Sequence, residues 1–200
     1  MTDHACHKKQ RVVVFFGMTA SGKSYLAKRW AEKHGFPYFN TDVIRKELAG
    51  IESTRSCAQS IDCGIYSPQF SRKTYDAVLD RTVQALRNNC GVPCAVMDGS
   101  YQYRRERQLV VERFEKWCEI IFILCHCPEK VTKKRLTDRM EDPETVSDGS
   151  WEIYLRQKDV FEKPDELFAG QLLELDTNAS LEYLIDHLDQ LLNVSSLKQA

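Results

Sequence analysis

The sequence predicts an α/β fold: three α/β/α layers on a five-stranded, mainly parallel sheet, with a helical lid. Short apolar runs of strand length alternate with helical segments, which implies right-handed crossovers between parallel strands. At 200 residues the chain has the size of one domain, with a core over about 11–192. A basic helix opened by Pro128 and a polar segment after it, about 128–150, form the expected lid.

Each element follows from local pattern. Arg11–Gly17 is a continuous β-branched and aromatic run, a covered strand. Lys23–His34 reads as a helix stopped by Gly35 and Pro37. Tyr38–Asn40 is a short second strand, expected near the first. Thr41 is the expected N-cap of a helix over Asp42–Ala49, ended by Gly50. Residues 51–67 lack a period and read as a loop. Pro68 opens a long helix to about Asn89. Val92–Met97 is the third strand, 103–117 a highly charged helix with an expected solvated face, and Glu119–Cys125 the fourth strand. Pro128–Met140 is the basic helix, Glu141–Gly149 the polar segment and Ser150–Phe161 a helix broken at Pro164. Leu172–Leu175 is the fifth strand and Leu181–Leu192 an amphipathic helix.

Composition narrows the class. With 42% hydrophobic and 28% charged residues the chain is globular rather than disordered or fibrous. No run approaches 18 apolar residues, so no transmembrane helix is expected. Met1–Arg11 is polar and basic and lacks a signal-peptide pattern, so a cytoplasmic chain is expected. The eight cysteines include no C-x-x-C pair, and reduced, buried thiols are expected. Cys125-His126-Cys127 alternates across a strand, which does not suit one tetrahedral metal. The net charge of −1 hides a split. Residues 1–140 hold 24 basic and 15 acidic residues, whereas 141–200 hold 4 and 14. The basic part carries every candidate anion site below.

Gly17-Met-Thr-Ala-Ser-Gly-Lys-Ser24 matches the phosphate-binding P-loop, G-x-x-x-x-G-K-[ST], where a strand ends and a helix begins. Its glycines let backbone amides approach phosphate, and the helix N-terminus favours an anion. The expected nucleotide contacts are Gly17, Thr19, Ala20, Ser21, Gly22, Lys23, Ser24 and the adjoining Tyr25. Lys23 is expected at the β- and γ-phosphates and Ser24 on Mg²⁺.

Asp42 follows the second strand, where a carboxylate can act as general base toward an acceptor hydroxyl. Arg45, one turn later on the same helix face, can hold an anionic or hydroxyl-rich acceptor. Asp98 ends the third strand in a Walker-B-like position suited to Mg²⁺ or acceptor contacts. Tyr101 follows it as a further acceptor contact. On the lid, Arg135 and Arg139 stand four apart on one face, as expected of arginines that meet a transferring phosphoryl group.

These stretches resemble the small P-loop family described as predicted kinases, a kinase-like AAA-type domain also found fused to aminoglycoside-phosphotransferase-like domains. The matching segments are Gly17–Ser24, Thr41–Gly50, Ile65–Pro68, the helix with Thr74-Tyr75, Val96–Gly99, Trp151–Gln157 and Phe161–Glu166. The chain is more remotely similar to polynucleotide kinases, whose Asp-x-x-Arg implies Asp42 as base and Arg45 as an acceptor-phosphate contact. That likeness also implies nucleotide-phosphate contacts for Arg135 or Arg139. One departure is Asp98-Gly99-Ser100, where the family commonly has Asp-Ala-Thr.

The resulting expectation is an ATP- and Mg²⁺-dependent kinase acting on a hydroxyl of a small molecule. A polynucleotide 5′-hydroxyl kinase and an ATP-binding regulatory module or ATPase are the alternatives. ATP and a hydroxyl-bearing acceptor are the expected partners, with nucleic acid open and no membrane.

Overall fold

The computed structural model describes residues 10–52, 64–88, 92–140 and 149–197. Strand β1 (Gln10–Phe16) lies at the centre of the sheet, buried from Arg11 onward. It pairs in parallel with β3 (Cys94–Asp98) on one side and β4 (Cys118–His126) on the other. Strands β2 (Tyr38–Asn40) and β5 (Leu172–Asp176) form the edges, giving the order β2-β3-β1-β4-β5 with every pairing parallel. β2 therefore does not adjoin β1, as the sequence suggests; β3 intervenes. All five residues of β3 are buried, whereas the three residues of β2 are only partly so, and a fully covered strand belongs inside a parallel sheet.

Alternation along β1 divides the core. Val13 and Phe15 face α1 (Lys23–His34), α7 (Leu181–Leu191) and α8 (Val194–Leu197). Val12, Val14 and Phe16 face α2 (Thr41–Leu48), α3 (Pro68–Asn88) and α4 (Arg104–Phe114). Phe16 meets Phe122 edge-on, with ring centroids 5.9 Å apart. The expected lid corresponds to α5 (Glu129–Met140); residues 141–148 lie outside the described residues, and α6 (Trp151–Val160) follows. The expected loop 51–67 contains a 3-10 turn at Gly64–Tyr66, and residues 53–63 lie outside the described residues.

Two local expectations change. Asn40, not Thr41, caps α2: its side-chain oxygen accepts from the Val43 amide at 2.9 Å. Thr41 instead packs against Gly99, where an added Cβ would stand 2.8 Å from the Thr41 hydroxyl oxygen. Gly99, the departure from the family pattern, is thus the residue that lets α2 close on the end of β3.

Of the Arg104–Arg107 run, Arg104 and Arg105 are exposed as a solvated face requires, but Arg107 is not. The Arg107 side chain is fully buried. Its Nε donates to Glu166 Oε1 at 2.5 Å and its Nη1 to the Tyr101 carbonyl at 2.8 Å. Part of the acidic surplus of 141–200 is used in this way, pairing back to the basic part; Lys33 with Asp186 and Asp189 is another case. Burial disfavours the Glu166 carboxylate, but hydrogen bonds from Arg107 and its own backbone, with the nearby guanidinium charges, outweigh burial and hold its pKa below the ordinary range. Glu166→Gln is therefore expected to cost about 1–3 kcal/mol at neutral pH. A carboxylate with a depressed folded-state pKa stabilises above its unfolded value of about 4.3, and that contribution fades as pH falls through the folded value. Thermal melts at pH 7 should separate the two proteins, and the gap should close as the pH is lowered through the depressed folded-state value.

Candidate active site

The site forms where the carboxyl ends of β1, β2 and β3 meet. Register places Asn40 beside Asp98 and Asp98 beside Phe15, immediately before the P-loop. In open parallel sheets, ligands bind in this crevice outside the strand ends.

The loop between β1 and α1 is built by close approach. Gly17 has φ +138, and a Cβ there would collide with the Cys125 carbonyl. Gly22 (φ +85) caps α1, with Arg135 Nη1 and Thr177 Oγ1 each 2.9 Å from where a Cβ would stand. Ala20 takes φ +57, a left-handed conformation that a non-glycine residue adopts only under constraint. The constraint comes from outside the loop. Thr177, just after β5, donates to the Ser21 carbonyl at 2.6 Å. Arg135 donates to the Ala20 carbonyl at 3.2 Å and to Thr177 Oγ1 and its carbonyl at 3.0 and 2.8 Å. Gln157 of α6 accepts from the Thr19 amide at 2.6 Å. Thr19 and Ser21 are buried, with hydroxyl oxygens that have no hydrogen-bond partner. Lys23 Nζ donates to the Met18 carbonyl at 3.2 Å. Tyr25 stands out from α1, 59% exposed, with the Arg29 guanidinium over its ring.

Asn40 ties Asp98 to the helix that carries Asp42. Asp98 is fully buried, and its Oδ2 accepts from Tyr38 Oη at 2.7 Å and Asn40 Nδ2 at 2.5 Å. The oxygen of that same Asn40 side chain caps α2, whose first turn carries Asp42. Burial raises the Asp98 pKa, opposed by the Lys23 charge and by the Tyr38, Ser24 and Asn40 side chains. Burial and Asp98 in turn raise the Tyr38 phenol, keeping it a neutral donor. The Mg²⁺ that a P-loop implies fits these residues. Asp98 Oδ1 is buried without a hydrogen-bond partner, and Ser24 lies beside the same carboxylate. Bound there, the ion would neutralise charge on phosphate oxygens.

Arg139 is half-buried, and among the described residues it makes no hydrogen bond. Burial and neighbouring Arg135 lower its pKa, while Asp42 and Asp98 oppose them. Its guanidinium thus feels the charge of both acids and is held by no hydrogen bond, whereas that of Arg135 grips the loop. Arg45 and Tyr101 are placed differently from the other expected site residues. Arg45 is buried, with Nη1 on the Ile65 carbonyl at 2.7 Å and Ser71 Oγ at 3.0 Å, and its Nε has no partner. Tyr101 packs into the core against Tyr75, centroids 4.9 Å apart, with its hydroxyl buried and unpartnered.

A family profile for an AAA domain, AAA_33, matches residues 12–164. The chain belongs to the AAA_33 family. Solved structures extend the likeness over nearly the whole AAA_33 chain at the level of fold. A gluconokinase from Sinorhizobium meliloti 1021 superposes with TM-score 0.62 at 19% identity, over 94% of this chain and 95% of its own. A shikimate kinase from Acinetobacter baumannii in complex with shikimate gives 0.60 at 15%, over 96% and 98%. The Mycobacterium tuberculosis APS kinase in complex with AMPPNP and APS gives 0.59 at 17%, over 92% and 98%. Comparison with curated proteins finds no match.

Four residues of this AAA_33 site escape a reading of the sequence alone: Tyr38, Asn40, Gln157 and Thr177. Asn40 had a visible signal, an Asn directly before a helix. Thr177 stands at a strand's carboxyl end, as Asn40 and Asp98 do. Gln157 carries no local signal, because its partner is 138 residues away.

Proposed function

We propose that the chain is an ATP- and Mg²⁺-dependent kinase that transfers the γ-phosphoryl group to a hydroxyl of a small molecule. The observation that carries this reading is Asn40, which bonds Asp98 and caps the helix that bears Asp42, with the charges of both acids acting on Arg139. The P-loop amides of Ala20–Ser24 and Lys23 bind the phosphates. Asp42 accepts the acceptor's hydroxyl proton as that oxygen bonds to the γ-phosphorus. The bond from the γ-phosphorus to the bridging oxygen breaks, and ADP leaves with the electron pair. Arg139 and Lys23 stabilise charge on the phosphoryl oxygens in transit.

The fold neighbours support a small acceptor, since their names specify gluconate, shikimate and APS chemistry.

The test is transfer of labelled γ-phosphate from ATP to a panel of hydroxylated small molecules, with a 5′-hydroxyl oligonucleotide alongside. Labelled small-molecule product with stoichiometric ADP is the expected result. Labelled oligonucleotide would move the assignment to a polynucleotide kinase. ADP formation that no acceptor accelerates would reduce it to an ATPase or regulatory module.

A further inference from the structure

We propose that Gln157 is a positioning residue for Lys23, acting through the Met18–Thr19 peptide group; this rests on the reading of Lys23 as the lysine that meets the terminal phosphates. The amide of that group donates to Gln157 Oε1 at 2.6 Å. The carbonyl of the same group accepts from Lys23 Nζ at 3.2 Å. A peptide group is planar, so whatever sets the direction of its N–H also sets the direction of its C=O. Gln157 therefore fixes the carbonyl on which the ammonium rests, and with it the starting position of the charge that must reach phosphate.

The loop has little of its own to hold that plane. Gly17, at φ +138, precedes the group, and Ala20, at φ +57, follows it. The nearest internal support, Ser21 amide to Met18 carbonyl, is long at 3.3 Å. Helix α6 is better anchored. Tyr154, one turn before Gln157 and on the same face, is buried against Ala20 and Leu136. Trp151 stacks on Tyr154 with centroids 5.0 Å apart. Lys158 pairs with Glu129 at 2.7 Å, tying α6 to α5, the helix that carries Arg135 and Arg139. Gln157 thus joins Lys23 to the pair of helices that presents the arginines. An amide side chain suits the place, because it accepts the Thr19 N–H without setting a negative charge beside incoming phosphate. Glutamate would accept the same hydrogen bond and repel the terminal phosphate.

The effect should fall on the third phosphate, because Lys23 serves the β- and γ-positions while the amides of Ala20–Ser24 hold the inner ones. Calorimetric titration of the full chain with Mg·ADP and Mg·AMPPNP tests this, with thermal midpoints measured in parallel. Gln157→Met keeps the length and removes the acceptor. It should weaken AMPPNP about tenfold, the scale of one polar contact, and ADP less than about threefold. If Gln157→Met melts early, the Lys23→Met background decides: there Gln157→Met should weaken AMPPNP less than about twofold further, because its effect passes through Lys23. Equal losses of both nucleotides in Gln157→Met, or the same Gln157→Met loss with and without Lys23, would overturn the proposal. If the unaltered chain bound neither nucleotide, the reading of Lys23 would fall first, and the proposal with it.

Discussion

Asp42→Asn should lower acceptor-dependent phosphoryl transfer about 10²–10⁴-fold while leaving Mg·ADP affinity within about twofold, the range expected when a general base is lost. Asparagine keeps the shape and hydrogen-bonding reach of the side chain but cannot take the hydroxyl proton. Its site is otherwise intact. Asn40 still caps α2 through Val43 and still binds Asp98, so the helix does not move. Helix stability changes little, because only one first-turn carboxylate is lost. The measurement is kcat for labelled transfer, with nucleotide affinity as the control. Unchanged turnover would mean that water or a different group accepts the proton, and the hydroxyl-kinase assignment would then fail.

Arg139→Ala carries the next-largest expected effect, a fall in kcat of about 10³-fold, at the lower end for a lost transition-state arginine. Arg135→Ala should behave differently although both arginines lie on α5. Arg135 is tied to the Ala20 carbonyl and to Thr177, so its loss loosens the loop. Weaker nucleotide binding and a lower melting temperature are expected there, with a smaller change in kcat for saturated enzyme. The contrast follows from the surroundings of each guanidinium: Arg135 bonds carbonyls of the loop and of Thr177, whereas Arg139 makes no hydrogen bond among the described residues and feels the charges of Asp42 and Asp98. If both variants lost kcat equally without any change in binding, the division of roles would be wrong.

Much of the fold is legible in the sequence because its signals are local. β1 and β3 are short apolar runs, α1 is bounded by Gly22 and Gly35, and the P-loop couples strand end to helix start within eight residues. The candidate acids are legible for the same reason, since each stands at a strand's carboxyl end. The order of the strands is not. Whether β2 or β3 lies beside β1 depends on which strand can be covered on both faces, and burial is a property of the assembled sheet. The charged α4 misleads in the same way. Nothing in its local sequence distinguishes Arg107, whose partner Glu166 lies 59 residues away, from an arginine in water.

Taken alone, then, the sequence determined an α/β chain with a phosphate-binding loop, a carboxylate after each of β2 and β3, and two lid arginines on one helix face. It did so because helical and strand periodicities, turns and the P-loop spacing are short-range constraints. Only the tertiary structure decided that Arg135 grips the loop while Arg139 does not, that Arg45 and Tyr101 are drawn into the interior, and that Gln157 and Thr177 brace the loop. Those outcomes depend on packing and on hydrogen bonds between segments 20 to 156 residues apart, about which spacing along the chain carries no information.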